Sequence, residues 1–326
     1  MVLGVFSILF NNLSLEEVLK KCVNLGISHI EIGCGGYSKS NHMDVDRVIC
    51  DQQYLCDFKA LLDKYEITIS ALGAQGNPVH PNKNKATAYH IDYEKALIAA
   101  KRLNVDTVLL LSGCPGGSPA DVTPNWITCP WPEDYSEAYD YQWNEVLIPY
   151  WQKAIKLAEE HGVERLAIEP HPGFCVYNPQ TLLRLRNETG NRIGVNFDPS
   201  HLFWQGIDPL AAIDALSDCI YHVHAKDSYI NEQIVQKDGV LDPKPYQKFN
   251  SRSWNFRTVG YGHSSKVWKD IISRLAMAGY EGVISIEHED ALMSNEEGLG
   301  KAAALLRDII INEQTGPKWW ELRPEG

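Results

Sequence analysis

The chain has 326 residues, 44% of them hydrophobic and 22% charged, and carries a formal net charge of −12. That length suits one large domain, and the charged share is ordinary for a globular protein. The acidic balance argues against a duplex-DNA or anionic-membrane partner, because phosphate binding relies on clustered Lys and Arg that neutralise charge.

Residues 1–10 are apolar but lack a basic leader and run into the polar pair Asn11-Asn12, so they read as a strand and not as a signal peptide. No apolar run approaches the ~20 residues that cross a bilayer. The eight cysteines, Cys22, Cys34, Cys50, Cys56, Cys114, Cys129, Cys175 and Cys219, show no Cys-x-x-Cys or finger-like spacing. Free thiols in a reducing cytoplasm are the expectation.

Strand-like and helix-like segments then alternate from end to end, which predicts a parallel sheet with crossover helices. A first strand is expected over 3–9. Ser14-Leu-Glu-Glu17 is a capping box that opens a helix, and Gly26 stands where a helix-terminating glycine belongs. Strands near 28–32 and 68–72 precede a helix over 86–103 and a strand near 107–111. A long connection, 112–139, is rich in Gly, Pro and aromatics, including Trp126, Trp131, Tyr135 and Tyr139. A helix over 141–161 leads to a strand at 165–169.

Asn178-Pro179 and Asp208-Pro209 each pair a side-chain cap with a proline at the first helical position, around strands at 193–197 and 220–224. A second long connection, 228–262, carries Tyr229, Tyr246, Trp254, Phe256 and Arg257. Helices over 265–278 and 295–312 flank a last strand at 283–287. Eight strands alternating with helices predict a single (β/α)₈ TIM-barrel domain over 1–326. Both long connections follow strands and so belong on the catalytic face, where long loops cover substrates. Trp319 and Trp320, in the tail, dock either on the barrel or on a partner chain.

Four of the predicted strands end in a hard-metal ligand: Arg165-Leu-Ala-Ile-Glu169, Ile193-Gly-Val-Asn-Phe-Asp198, Ile220-Tyr-His-Val-His224 and Val283-Ile-Ser-Ile-Glu287. On adjacent parallel strands, Glu169, Asp198, His224 and Glu287 converge at the C-terminal mouth of the barrel, where such folds carry their chemistry. Three oxygen donors and one nitrogen donor suit one Mn²⁺, Mg²⁺, Co²⁺ or Zn²⁺ ion with positions open for substrate, whereas a closed structural zinc site would usually contain thiolates. His222 shares a face with His224 and is read as a hydrogen-bonded barrel residue. Around this set lie His171, two after Glu169, and His201, three after Asp198, with Lys226 and Asp227 trailing His224. Gly76-Asn-Pro-Val-His-Pro81 adds Asn77 and His80.

The motifs Ala167-Ile-Glu-Pro-His-Pro-Gly173, Asn196-Phe-Asp-Pro-Ser-His201, His222-Val-His-Ala-Lys-Asp227 and Ser285-Ile-Glu-His-Glu289 resemble those of the xylose-isomerase-like TIM barrels. This is the sugar phosphate isomerase/epimerase group, to which the endonuclease-IV-type repair enzymes also belong. The resemblance covers nearly the whole chain and is specific in its second half. It implies one Mn²⁺ or similar ion on Glu169, Asp198, His224 and Glu287, with Glu169 and Glu287 exchanging the substrate proton in the ketose epimerases. It further implies that His201 and an arginine, best matched here by Arg257, contact substrate oxygens. A narrower resemblance, in length and in the aromatic insertion after the fourth strand, is to the large subunits of bacterial C-glycoside deglycosidases. That one implies cleavage of a 3-oxo sugar from an aromatic aglycone, with a small β-rich partner subunit and a higher oligomer.

All these reactions must remove a proton from carbon beside a carbonyl. Glu169, Glu287 and His171 are the candidate bases, and His201, Arg257, Asn77, His80 and Lys226 the candidate substrate contacts. The expectation leans slightly to 3-oxo-C-glycoside elimination, because aromatics over the mouth suit a flat aglycone, with free ketose isomerisation or epimerisation as the alternative. The repair-endonuclease reading fails on the acidic charge and on the lack of an Asp-x-His pair over 254–263. A non-catalytic sugar-binding module would predict a broken ligand set, and this one is whole. No Gly-rich phosphate turn or basic cluster supports a phosphorylated substrate.

Overall fold

In the computed structural model, which describes residues 1–313 and 316–318, eight parallel strands close into a barrel. They are β1 (Val2–Phe6), β2 (His29–Gly33), β3 (Thr68–Gly73), β4 (Thr107–Leu110), β5 (Arg165–Ile168), β6 (Ile193–Phe197), β7 (Ile220–Ala225) and β10 (Val283–Ile286). The order around the barrel is β1-β10-β7-β6-β5-β4-β3-β2. A separate two-stranded antiparallel ribbon, β8 (Asp227–Ile230) with β9 (Trp254–Arg257), stands over the mouth. Trp319 and Trp320 lie outside the described residues. No described helix is long and apolar enough to cross a membrane.

The helices begin where the sequence supplies caps. Ser14 and Glu17 bond each other's backbone N–H groups, at 3.4 and 2.8 Å. Asn178 accepts from Thr181 N at 2.9 Å and Asp208 from Leu210 N at 2.9 Å. Gly26 takes φ +67°, a left-handed value that suits glycine at a helix end.

Two boundaries differ from expectation. The first strand stops at Phe6, and Ser7–Phe10 turns into a 3₁₀ helix whose Leu9 and Phe10 remain buried. An apolar run alone does not distinguish a strand from a buried turn. The helix expected from 141 starts instead at Glu133 and runs through a π-helical stretch, Tyr141–Leu147, into Ile148–His161. Pro149 has no N–H to give to the preceding turn, and the wider hydrogen-bonding pattern sits directly before it.

The floor of the barrel is filled by Tyr221, packed on Ala71, Leu109 and Ala167. Register slips by one residue between β6 and β7, where Val195 faces Ile220 and Asn196 faces His222, leaving Tyr221 bulged. Gly194 makes room for it, since a Cβ there would lie 2.3 Å from the Tyr221 ring. Above the bulge, His222 and His224 are both buried, His222 beside Asn196 of adjacent β6 and His224 beside Glu31 of β2 across the barrel. The slip therefore determines which groups sit beneath the mouth.

Candidate active site

β5, β6, β7 and β10 are consecutive neighbours, so their ends form one arc of the rim. Ser285 pairs with His224 across β10 and β7, and Glu287 N donates to Ala225 O at 3.2 Å, which brings the fourth ligand level with the third. Donor atoms of Glu169, Asp198, His224 and Glu287 all lie within 4.8 Å of one another. His224 Nδ1 is 3.0 Å from Glu287 Oε2 and 3.5 Å from Glu169 Oε2.

The electrostatics are those of crowded buried charge. Burial raises the Glu169 carboxyl above its ordinary range, and nearby Glu287 raises it further. Burial also acts to raise Glu287, but Lys226 and His224 overcome it and hold that carboxylate well below the usual value. Burial disfavours the charged forms of His224 and Lys226, yet the surrounding carboxylates keep both cationic. Lys226 Nζ pairs with Glu287 at 3.0 Å, Glu289 at 3.2 Å and Asp198 at 3.3 Å.

The donor set fits a divalent cation. Buried Asp198 Oδ2 accepts no properly angled hydrogen bond, although His201 Nε2 and Lys226 Nζ are each 3.3 Å away. A buried oxygen in that state costs ~1–3 kcal/mol, which a bound cation would offset. Three carboxylates and an imidazole are the ligands such an ion takes.

His201 and His171 stand at one side of the cluster, their ring centroids 4.1 Å apart. His201 Nε2 is 3.1 Å from Glu169 Oε1 without the angle of a hydrogen bond. Burial depresses both imidazoles to about 4, so both are neutral at pH 7. Both line a cavity of about 420 Å³ whose walls are Trp126, Trp204, Tyr246, Trp254 and Phe256. Trp204 and Trp254 stack in parallel, with centroids 4.5 Å apart.

Other sequence candidates fall elsewhere. Asn77 is buried with its amide clamped to Cys114, donating to the carbonyl at 2.8 Å and accepting from the N–H at 3.1 Å. That amide ties two loops together and is occupied. His80 accepts from Asn82 N at 2.9 Å and lines a different cleft, beside Tyr141 and Lys153. Arg257, on β9, donates to Asp290 Oδ2 at 3.0 Å and lies over Tyr261, so it is held beyond Glu287 and not among the ligands. Trp131 is 69% exposed, and Tyr135 lines a neighbouring hollow with Cys129.

Three interior residues escaped the strand-end reading. Glu31, fully buried on β2, lies 2.7 Å from His224 Nε2 and accepts from Ser285 Oγ at 3.2 Å. Asn196 donates to Glu169 Oε2 at 3.0 Å and accepts from His222 Nδ1 at 3.1 Å. A polar residue inside an apolar strand, as in His29-Ile-Glu-Ile-Gly33, was the available signal. Trp204 had none beyond its size.

The profile of the "Xylose isomerase-like TIM barrel" family matches residues 19–309, nearly the whole barrel. The chain belongs to that family. Its relatives include the uncharacterized protein YfiH of Bacillus subtilis (strain 168), 38% identical over 301 residues that cover 92% of this chain and 96% of YfiH. The rhizopine catabolism protein MocC of Rhizobium meliloti is 31% identical over 143 residues, 43% of this chain and 42% of MocC.

Among solved structures, the probable 3-DHS dehydratase AsbF of Bacillus anthracis superposes with a TM-score of 0.66 at 14% identity, covering 94% of this chain and 99% of AsbF. The IolI protein with a bound zinc atom gives 0.65 at 17%, covering 95% and 98%. D-psicose 3-epimerase in the presence of D-fructose gives 0.61 at 13%, covering 95% and 99%. Those likenesses establish the shared barrel.

Proposed function

We propose that this protein is a divalent-metal-dependent carbohydrate enzyme that moves a proton on the carbon beside a sugar carbonyl, as a ketose isomerase or epimerase does. One observation carries the reading: Glu169 just beyond β5 and Glu287 just beyond β10 approach the same nitrogen, His224 Nδ1, from strands that are not neighbours. Two carboxylates so placed address two faces of a substrate held between them. The ion, Mn²⁺ in this proposal, would be held by Glu169, Asp198, His224 and Glu287. When bound it supplies Lewis-acid stabilisation of the charge that develops on the carbonyl oxygen.

The chain's own residues do the rest. Glu169 takes the proton from one face of the carbon and Glu287 returns one to the other, which inverts the centre. Neutral His201 and His171 offer ring nitrogens to the hydroxyls that orient the sugar. Lys226 offsets the negative charge of the carboxylates, and the aromatic wall keeps bulk water from the reacting carbon.

The second reading is elimination from a 3-oxo-C-glycoside, as a deglycosidase large subunit with a small β-rich partner. The cleft of about 420 Å³ favours it, because Trp126, Trp204 and Trp254 would face a flat aglycone. The name of the epimerase neighbour favours the first. A cytoplasmic setting and a higher oligomer belong to either.

The deciding experiment incubates the Mn²⁺-loaded protein in D₂O, with and without a candidate small β-rich subunit. The substrates are free ketohexoses and aryl 3-oxo-C-glycosides. Deuterium appearing beside the ketose carbonyl, and lost in Glu169→Gln and Glu287→Gln, is the expected result. Release of the aglycone alone would establish the second reading, and neither outcome in any combination would refute both.

A further inference from the structure

β2 and β7 are separated by β1 and β10 on one side of the barrel, so a contact between them must cross the interior. Glu31 makes that crossing. Its Oε2 lies 2.7 Å from His224 Nε2, and neither side chain has any exposed surface. The opposite ring nitrogen, Nδ1, faces Glu169 and Glu287. The ring is held besides by Phe6, stacked at 6.0 Å with planes 19° apart, and by His222, edge-on at 5.5 Å.

An imidazole that ligates a cation carries one N–H and one lone pair, and the hydrogen bond at one nitrogen decides which is which. The Glu31 carboxylate accepts the N–H at Nε2, so Nδ1, the nitrogen that faces Glu169 and Glu287, is the one left to give a lone pair to an ion. Ser285 Oγ, donating to the same Oε2 at 3.2 Å, keeps the carboxylate turned toward the ring. Both ends of the contact are anchored on strands, so its geometry is set by the barrel and not by a mobile loop.

We infer that Glu31 is a positioning residue that fixes the tautomer and ring angle of His224 and thereby sets the affinity of the site for a divalent cation. The inference rests on the metal reading above. It assigns Glu31 a role that its place in the barrel interior, without contact to solvent, would not otherwise suggest. Outer partners of metal-bound histidines typically govern affinity by roughly 10- to 100-fold.

The test uses Co²⁺ as probe, titrated against a chromophoric chelator, on the whole protein and the variants Glu31→Leu and Glu31→Gln. Glu31→Leu should bind Co²⁺ at least tenfold more weakly while its metal-free melting temperature shows the barrel still folded. Glu31→Gln, whose amide oxygen accepts the same N–H, should stay within a few-fold of wild type. A folded Glu31→Leu that binds Co²⁺ as tightly as wild type overturns the inference. A second readout does not depend on metal: the His224 Nε2–H cross-peak in ¹⁵N spectra, assigned by its loss in His224→Asn. It should be protected from exchange in wild type and in Glu31→Gln. Its absence from wild type overturns the role of Glu31. Failure of wild type to bind Co²⁺, with that signal present, sinks the metal reading and leaves the contact standing.

Discussion

The ammonium of Lys226 lies 3.0 Å from Glu287 Oε2, an ion pair set at the centre of the carboxylate cluster and closed off from solvent on the lysine side. Lys226 therefore already acts as a resident cation among four acids. Its ring-side neighbour is Phe256, 4.5 Å from the ammonium, which fixes the side chain from above.

Removing that charge should cost most when no other cation is present. Lys226→Met in the presence of a chelator is expected to lose about 3 kcal/mol of folding stability, as when one partner of a buried pair is deleted. Added Mn²⁺ should restore part of it by neutralising the same oxygens. Urea unfolding with and without the ion measures both, and equal losses in the two conditions would count against the ion binding there.

Binding and turnover should separate at His201. It lies one turn beyond Asp198 and touches the ligands without completing their set. His201→Ala should keep about one metal per chain by elemental analysis while turnover drops by roughly 10²-fold or more, the usual loss for a group acting on substrate. Asp198→Ala should lose the metal. If both variants lose it equally, His201 is a ligand.

The neutral state of His201 gives a pH dependence with a definite sign. Burial lowers its folded value to about 4, against an ordinary 6.5 in the unfolded chain. Between those values the unfolded chain holds the extra proton, so this contribution is complete above pH 6.5 and fades as pH falls toward 4. The shift corresponds to about 3 kcal/mol at most. Metal-free wild type should therefore lose more stability from pH 7 to pH 4.5 than His201→Asn. Parallel curves from denaturant titrations would contradict it.

The aromatic cleft predicts a ratio. Trp204→Ala breaks the parallel stack with Trp254 and should lower the specificity constant for aryl 3-oxo-glycosides, if these are substrates, by about 1 kcal/mol beyond area loss. Trp126→Ala should act in the same direction, since Trp126 also lines that cleft. Trp131→Ala should change little, because Trp131 faces solvent. An aryl-to-ketose ratio unmoved by Trp204→Ala would leave the cleft without a part in aglycone recognition.

The barrel and the four strand-end donors were legible in the chain because each depends on local information. Alternation of strand and helix, caps such as Ser14 and Asn178, and a ligand closing each apolar run all lie within a few residues. Once strands are parallel and in order, convergence of Glu169, Asp198, His224 and Glu287 follows from topology.

Tertiary structure decided what crosses the interior or comes from distant loops. Glu31 and His224 are 193 positions apart, and no local pattern links them. The bulge at Tyr221 depends on Gly194 of another strand yielding space. Asn77 and His80 occupy one short motif, yet one is spent on Cys114 and the other faces a separate cleft. The Trp204–Trp254 stack likewise arises only when the ribbon folds over the mouth. Local sequence specifies where a backbone turns and which face is apolar, whereas side-chain partners across a barrel are fixed by packing among strands far apart in the chain.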